Sequence, residues 1–225
     1  ILTINGCSGG NSKQELIDKA GAPLLSGLGN HTHEVTSSKD GVQEYFDQGL
    51  ILAFAFNHAE SVRSFKAAQN LDPTCAMCYW GEALARGPNI NVTSNGKAVM
   101  SDEQRVKAFE ALGKAKDLMV YSTPQEQAYI TALSSRYDGD ISSDRNALDI
   151  AYAVAMEKVV TAYPEDMDAA SLYSEALMNT MPWNYWLDDG KPVSDTVKVI
   201  AELEKVLEKE PNHPLAIHLY IHAVE

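Results

Sequence analysis

The chain has 225 residues, 45% hydrophobic and 22% charged, with 9 prolines and 14 glycines; this composition can bury a core and excludes disordered, collagen-like and low-complexity classes. Its 31 acidic residues outnumber its 18 basic ones, giving a net charge of -13, and such a surface repels a phosphate backbone, which argues against nucleic acid as a partner. No apolar run approaches the roughly 20 residues that span a bilayer, and 3 cysteines are too few for a disulfide scaffold.

Residues 1–40 are predicted to form an exported leader, or tether, that is largely non-helical. Its opening, ILTINGCSGGNSKQ, is typical of the end of an apolar export signal followed by a small, polar tether. Ile4, Gly6 and Cys7 resemble the box at which bacterial lipoproteins are cleaved and lipidated, and Asn5 departs from the residue usual there. Lipidation at Cys7 and a signal cut further upstream are the alternatives. Both predict an exported protein that is periplasmic, outer-membrane-associated or extracellular.

The rest of the leader is rich in Gly, Ser, Asn and Thr, apart from a short helix predicted at 13–20. Residues 31–36 alternate as a strand does, and a lone extended segment needs a partner edge or groove. We therefore expect this segment to pack against a neighbouring molecule. Tripeptides at Asn30 and Asn91 fit the N-glycosylation pattern, which has many false positives, and their modification stays open.

An internal repeat of about 34 residues begins after the leader. The first unit carries an aromatic, a glycine, a small residue, a second aromatic, a second small residue and a closing proline at set positions, namely Tyr45, Gly49, Ser61, Phe65, Ala68 and Pro73. The small residues let two antiparallel helices approach closely, the rings fill the space between them, and the proline stops the second helix. The pattern therefore predicts a helical hairpin.

Three further units and the start of a fifth follow in the same frame. Their predicted helices lie at 75–86, 102–120, 125–137, 144–163, 165–180, 194–210 and 212–225, with insertions at 87–100 and 181–193. The last of these helices has an apolar face, and each unit of a repeat protein is stabilised by its neighbours. We therefore expect further polypeptide, or another chain, to cover it.

The pattern over residues 42–225 resembles the tetratricopeptide-repeat family, and the segments TCAMCYWGEALARGPNIN and HLYIHAVE are similar to exported bacterial members of unassigned activity. The resemblance implies an all-α solenoid of about four and a half helical hairpins over 41–225, preceded by the extended leader. Members of this family generally serve as scaffolds that bind proteins or peptides on a concave surface. It thus implies an interaction or assembly scaffold of the cell envelope or exterior, self-associating through its ends into homo-oligomers, rings or filaments.

The resemblance also implies which residues face a partner. The positions that line the concave surface in this family fall on Gln43, Phe46, Leu50 and Glu82. The predicted surface is mixed rather than basic, so it lacks the Lys and Arg clamp with which some members hold C-terminal carboxylates.

Aromatic residues of the second insertion form another candidate partner surface. Trp183, Tyr185 and Trp186 lie in a segment long enough to fold over the groove, and such rings need something to pack on. Capture of a peptide or glycan and packing on their own repeat are the two interpretations.

Cys75 and Cys78 form a CxxC motif at the start of a predicted helix, where the helix dipole lowers a thiol pKa. Tyr79 stands where covalent haem attachment requires a histidine, and no second CxxC completes a zinc site. The motif therefore favours a local disulfide or plain packing over a redox or metal role.

The histidines are the strongest chemical signal. His218 and His222 are four residues apart on one helix face and could chelate a metal, with Glu225 one turn further on. His31 and His33 of the leader add two more ligands. Imidazoles at packing positions need hydrogen-bond partners or a ligand, so we predict either satisfied core histidines or a copper or zinc site. The ends of an open solenoid lie far apart, so a shared site would require the leader, an insertion or a second subunit to bridge them.

Enzyme motifs are absent from the sequence. It contains no nucleophile elbow, phosphate loop or HExxH motif, so an enzyme is not indicated. A metal-binding protein or metalloenzyme that uses His218 and His222 is the alternative to the scaffold.

Overall fold

The computed structural model describes residues 9–92 and 100–225, and in this part of the chain the protein is all-α, with no β-strand. Ten α-helices follow one another along the chain, and a single 3-10 turn, Met119–Tyr121, continues the fifth. In chain order they are α1 (Gly9–Ala20), α2 (Val42–Phe54), α3 (His58–Leu71), α4 (Ala76–Arg86), α5 (Asp102–Leu118), α6 (Pro124–Ser134), α7 (Arg145–Ala162), α8 (Met167–Thr180), α9 (Thr196–Lys209) and α10 (Pro214–Val224). The proposed lipidation site Cys7 lies outside the described residues.

Local capping chemistry sets where the helices begin. At α6 the Thr123 hydroxyl accepts a hydrogen bond from the backbone N–H of Glu126, whose carboxylate accepts one from the N–H of Thr123. Pro124 occupies the first helical position, where no N–H is needed. At α7 and α8 the side chains of Asp144 and Asp166 accept hydrogen bonds from the backbone N–H groups of Asn146 and Ala169. These caps explain why the predicted helix boundaries agree with the observed ones to within a few residues.

Consecutive helices joined by short connections pack side by side. Alternate helices also contact one another, among them α2 with α4, α4 with α6, and α8 with α10. Helix α10 then returns to α2, where His218 Nδ1 lies 2.7 Å from the carbonyl oxygen of Phe54. The expectation that the first and fifth predicted units, which begin with α2 and α10, lie far apart is therefore wrong.

Close approach of α2 and α4 to α3 depends on two glycines. Phe65 of α3 is fully buried between Gly49 and Gly81. A Cβ atom placed on Gly81 would lie 2.2 Å from Phe65 Cε1, and one on Gly49 would lie 2.9 Å from it. Only the smallest side chain leaves room for the ring. None of the described helices is long and apolar enough to cross a membrane.

Candidate metal centre

The second half of the leader lies across the helices in an extended conformation and forms no strand. Gln43 of α2 donates its Nε2–H to the carbonyl oxygen of His33 (2.8 Å) and accepts from the N–H of Val35 (3.1 Å). Asp47, one turn along α2, accepts from the N–H of His33 (3.1 Å) and from the hydroxyl of Thr32 (2.8 Å). The segment that we expected to pack against a neighbouring molecule therefore packs within its own chain.

Two further carboxylates hold the end of this segment. Glu126 of α6 accepts from both the N–H and the hydroxyl of Thr36, each at 2.7 Å. Asp72 accepts from the hydroxyl of Ser37 at 2.6 Å. Because alternate residues of an extended segment share one face, this anchoring turns His31 and His33 towards the same side of the leader, where α8 begins.

Both histidines meet Asp168, in the first turn of α8. His31 Nε2 lies 2.9 Å from Asp168 Oδ1, and His33 Nδ1 lies 2.7 Å from Oδ2. A third imidazole reaches the same carboxylate, since His213 Nε2 lies 3.1 Å from Oδ1. Three imidazoles from two distant parts of the chain therefore converge on one buried carboxylate.

The position of His213 is fixed by its own helix. It is the N-cap residue of α10, and its Nδ1 accepts a hydrogen bond from the backbone N–H of Ala216 at 3.2 Å. Because Nδ1 acts as an acceptor, Nε2–H is the donor of the hydrogen bond to Asp168 Oδ1. The ring is 1% exposed, so the start of α10 is tied directly to the start of α8.

Burial and charge act in opposite directions on this cluster. Burial disfavours protonation of His31 and His33, but their hydrogen bonds to Asp168 and its negative charge outweigh that effect and raise both pKa values. Burial likewise favours the neutral acid of Asp168, yet the hydrogen bonds from the three histidines hold its pKa well below the usual range. Asp168 is therefore a carboxylate at neutral pH, buried among three imidazoles.

Two more carboxylates, those of Asp166 and Glu210, lie beside the histidines of this cluster. The ligand atoms of His33, Asp166 and Asp168 lie within 4.8 Å of one another, and so do those of His31, Glu210 and His213. A cleft of about 510 Å³ has His33 and Asp166 in its wall, and another of about 610 Å³ has His31, Glu210 and His213 in its wall. Small solutes can thus reach the cluster from two sides.

This donor set suits a borderline transition metal. Zinc and copper take imidazole nitrogen and carboxylate oxygen as ligands. In a tetrahedral zinc site with bonds of about 2.0–2.1 Å, neighbouring ligand atoms lie about 3.3 Å apart. The three histidine–Asp168 contacts span 2.7 to 3.1 Å, so an ion could replace the bridging protons after shifts of a few tenths of an ångström.

The histidine pair predicted from the sequence lies elsewhere. His218 Nδ1–H donates to the carbonyl oxygen of Phe54, and the His218 ring lies 4.2 Å from that of Phe56. His222 Nδ1 lies 3.0 Å from Glu225 Oε1. Among the described residues, the groups of three or more metal-ligand atoms include neither His218 nor His222. Of the four histidines singled out in the sequence, the structure brings only His31 and His33 to the candidate centre.

The residues predicted to face a partner are mostly covered by the chain itself. Phe46 and Leu50 are buried in the core. Glu82 is buried and forms an ion pair with Arg86 at 2.8 Å. Gln43 holds the leader, so the predicted concave surface is occupied by a segment of the same protein.

The second insertion packs against α10 rather than over the leader. Trp186 Nε1 donates to the carbonyl oxygen of Ala223 at 2.8 Å, and the ring of Trp183 lies 5.0 Å from that of His222. Tyr185 is buried. The two insertion tryptophans thus contact the helix that follows their own pair.

The CxxC cysteines are bonded to each other. Cys75 and Cys78 form a disulfide with an S–S distance of 2.00 Å at the start of α4, and both residues are buried. Their sulfur atoms are therefore not available as thiolate ligands.

Three comparisons with known proteins give no relative from which to read a function. The chain matches no family profile, no curated protein and no solved structure. Function is therefore inferred from the geometry of the cluster itself.

Four members of the cluster were missed in the sequence: Asp166, Asp168, Glu210 and His213. Asp166 and Asp168 open a helix, where acidic residues are common as caps and dipole partners. His213 likewise stands at a helix start, beside a proline. The one available signal was a histidine used as an N-cap, a position that serine, threonine, aspartate and asparagine usually occupy.

Proposed function

We propose that the protein binds a divalent transition metal, zinc or copper, through His31, His33, His213 and Asp168. The single observation that carries this proposal is the convergence of three imidazoles on one buried carboxylate. The cluster contains two groups of three ligand atoms, and the atoms of each group lie within 4.8 Å of one another: His31 with Glu210 and His213, and His33 with Asp166 and Asp168. Imidazole nitrogen and carboxylate oxygen together are the donor set of a zinc or copper site. When bound, the ion would supply Lewis acidity at the junction of the leader, α8 and α10.

Zinc titration of protein purified without a histidine tag tests this function. Replacing His31 and His33 together with alanine should weaken zinc binding by more than about 100-fold, since loss of a supporting residue alone costs 10–100-fold. The matched control replaces His218 and His222 with alanine and should bind zinc as the unmodified protein does. Isothermal titration and elemental analysis after dialysis give the two readouts. Equal zinc affinity in the two double variants would contradict the proposal. Loss of zinc binding in the control alone would instead favour a site at His218 and His222, the pair predicted from the sequence.

We also propose that the helices form a tetratricopeptide-type array. Support comes from the glycine–phenylalanine packing at Gly49, Phe65 and Gly81 and from side-by-side packing of consecutive helices. Contacts of α2 with α4, α4 with α6, and α8 with α10 add to it. Within this proposal the array is closed by α10 against α2, and the leader fills its groove.

The interaction scaffold is a second candidate function, and the leader favours it. Side chains of α2 and α6 accept hydrogen bonds from the backbone N–H groups of His33, Val35 and Thr36. Main-chain hydrogen bonds of this kind let a groove bind an extended peptide largely independently of its sequence. We expect self-association that grows with concentration. Size-exclusion chromatography with light scattering measures it, and a monomer at every concentration would remove the assembly function.

A further inference from the structure

We propose that the centre holds two metal ions bridged by the Asp168 carboxylate, one closed by protein ligands and one open to an oxyanion. This inference rests on the metal-binding function proposed above. The two oxygens of Asp168 have different partners: Oδ1 contacts His31 and His213, whereas Oδ2 contacts His33. One carboxylate thus lies between two separate sets of ligands, as a bridging carboxylate does.

The first set is complete for a four-coordinate ion. His31, His213 and Glu210 have their ligand atoms within 4.8 Å of one another, and Asp168 Oδ1 lies 2.9 and 3.1 Å from the two imidazoles. Two imidazoles and two carboxylates fill a tetrahedral shell. Glu210 and His213 belong to the same turn, because the N–H of His213 donates to the carbonyl oxygen of Glu210 at 3.0 Å. We assign the closed ion to this set.

The second set has three protein ligands and leaves a position free. It consists of His33, Asp166 and the second oxygen of Asp168. Tyr129 and Gln125 donate to Asp166 Oδ2 at 2.7 and 2.6 Å, the kind of outer support that orients a metal-ligating carboxylate. The cleft of about 510 Å³ has His33 and Asp166 in its wall. Three protein ligands beside a cleft are the arrangement in which zinc keeps a position for water or substrate. The first set also borders a cleft, but its four ligands leave no position free.

Charge balance favours two ions over one. Asp166, Asp168 and Glu210 contribute three negative charges, and imidazoles that bind a metal are neutral. One divalent ion would leave the three carboxylates with one negative charge in excess, whereas two leave one positive charge that a bound hydroxide or other oxyanion neutralises. Asp168 is buried, Asp166 half-buried and Glu210 exposed, so the cost of uncompensated charge falls mainly on Asp168, the residue between the two ions. The open ion is therefore expected to carry an oxyanion, with inorganic phosphate as the probe.

The zinc stoichiometry of the full chain, measured by native mass spectrometry and elemental analysis, tests the bridged pair. The unmodified protein should bind two ions and Asp166→Asn one. Glu210→Gln keeps three ligands for the first ion and should hold that ion about 10-fold or more weakly. Both variants should fold, since asparagine is as good an N-cap as aspartate and Glu210 is exposed. Glu208→Gln, an exposed change in α9, is the matched control and should keep two ions.

The number of bound ions distinguishes failure of the bridged pair from failure of the metal-binding function proposed above. One ion in the unmodified protein would overturn the bridged pair and leave metal binding intact, whereas no ion would overturn both. Two ions in Asp166→Asn, or an unchanged zinc affinity in Glu210→Gln, would overturn the ligand assignment. Inorganic phosphate should raise the melting temperature of the zinc-loaded protein and of Glu210→Gln but not that of Asp166→Asn, and an equal response in all three would contradict the open position.

Discussion

Replacing Asp168 with alanine is expected to detach the leader from α8 and to abolish metal binding in the same variant. Asp168 accepts hydrogen bonds from His31, His33 and His213, and all three lose this partner at once. Breaking a buried pair by removing one partner costs about 3–5 kcal/mol, because the other partner stays buried and uncompensated. We expect the free energy of unfolding in urea to fall by that amount, and proteolysis to cut the leader at residues 22–37 far faster than in the unmodified protein.

An exposed carboxylate in the adjoining turn provides the matched control. The side chain of Glu165 is 83% exposed and pairs with Lys209 on the surface, and isolated surface pairs contribute little. Glu165→Ala should therefore change the free energy of unfolding by less than about 0.5 kcal/mol and leave zinc binding unchanged. If Asp168→Ala were as stable as Glu165→Ala, the carboxylate would not hold the leader.

Replacing Asp168 with asparagine removes the negative charge of the side chain but keeps its shape. Asp168→Asn keeps one oxygen that can accept a hydrogen bond and loses the negative charge that raises the pKa values of His31 and His33. We expect a smaller loss of stability than in the alanine variant and a similar loss of zinc binding, since an amide is a poor ligand for zinc. Equal losses of stability in the two variants would show that charge alone anchors the leader.

The helices of this fold could be predicted because their signals are local. The helix predicted over 144–163 is observed as Arg145–Ala162, since an aspartate cap starts it and Pro164 follows its end. Spacing of small and aromatic residues likewise placed Gly49 and Phe65 on facing helices. Caps, prolines and helix periodicity act over a few residues, and a sequence displays them directly.

The candidate centre could be predicted only in part, because it is built from non-local contacts. His31 and His33 were predicted as possible ligands from their own chemistry. Their shared partner Asp168 lies 137 and 135 residues away, and no spacing in the sequence connects them. The pair His218 and His222 attracted attention because an interval of four residues is visible in a sequence, whereas the return of α10 to α2 is not.

Two glycines inside helices are expected to respond in opposite directions to the same change. Gly81→Ala would place a Cβ atom 2.2 Å from Cε1 and 2.5 Å from Cδ1 of Phe65, closer than carbon atoms can approach. The ring is fully buried, so α3 or α4 must shift. Overpacking of this kind costs about 1–3 kcal/mol and occasionally more, and we expect a loss of at least about 3 kcal/mol in the free energy of unfolding.

Gly113→Ala in α5 is the matched control, since a Cβ atom there meets nothing within 4 Å. Alanine is about 0.8–1.0 kcal/mol more favourable than glycine inside a helix, so this variant should be more stable than the unmodified protein. Adding Phe65→Leu to Gly81→Ala should recover part of the lost stability, because a smaller side chain relieves the clash, although Phe65→Leu alone destabilises the core. Chemical denaturation of the four variants measures these differences. Similar effects at Gly81 and Gly113 would mean that helix propensity, and not close approach of α3 and α4, governs both positions. The proposed tetratricopeptide-type array would then lose the packing that supports it.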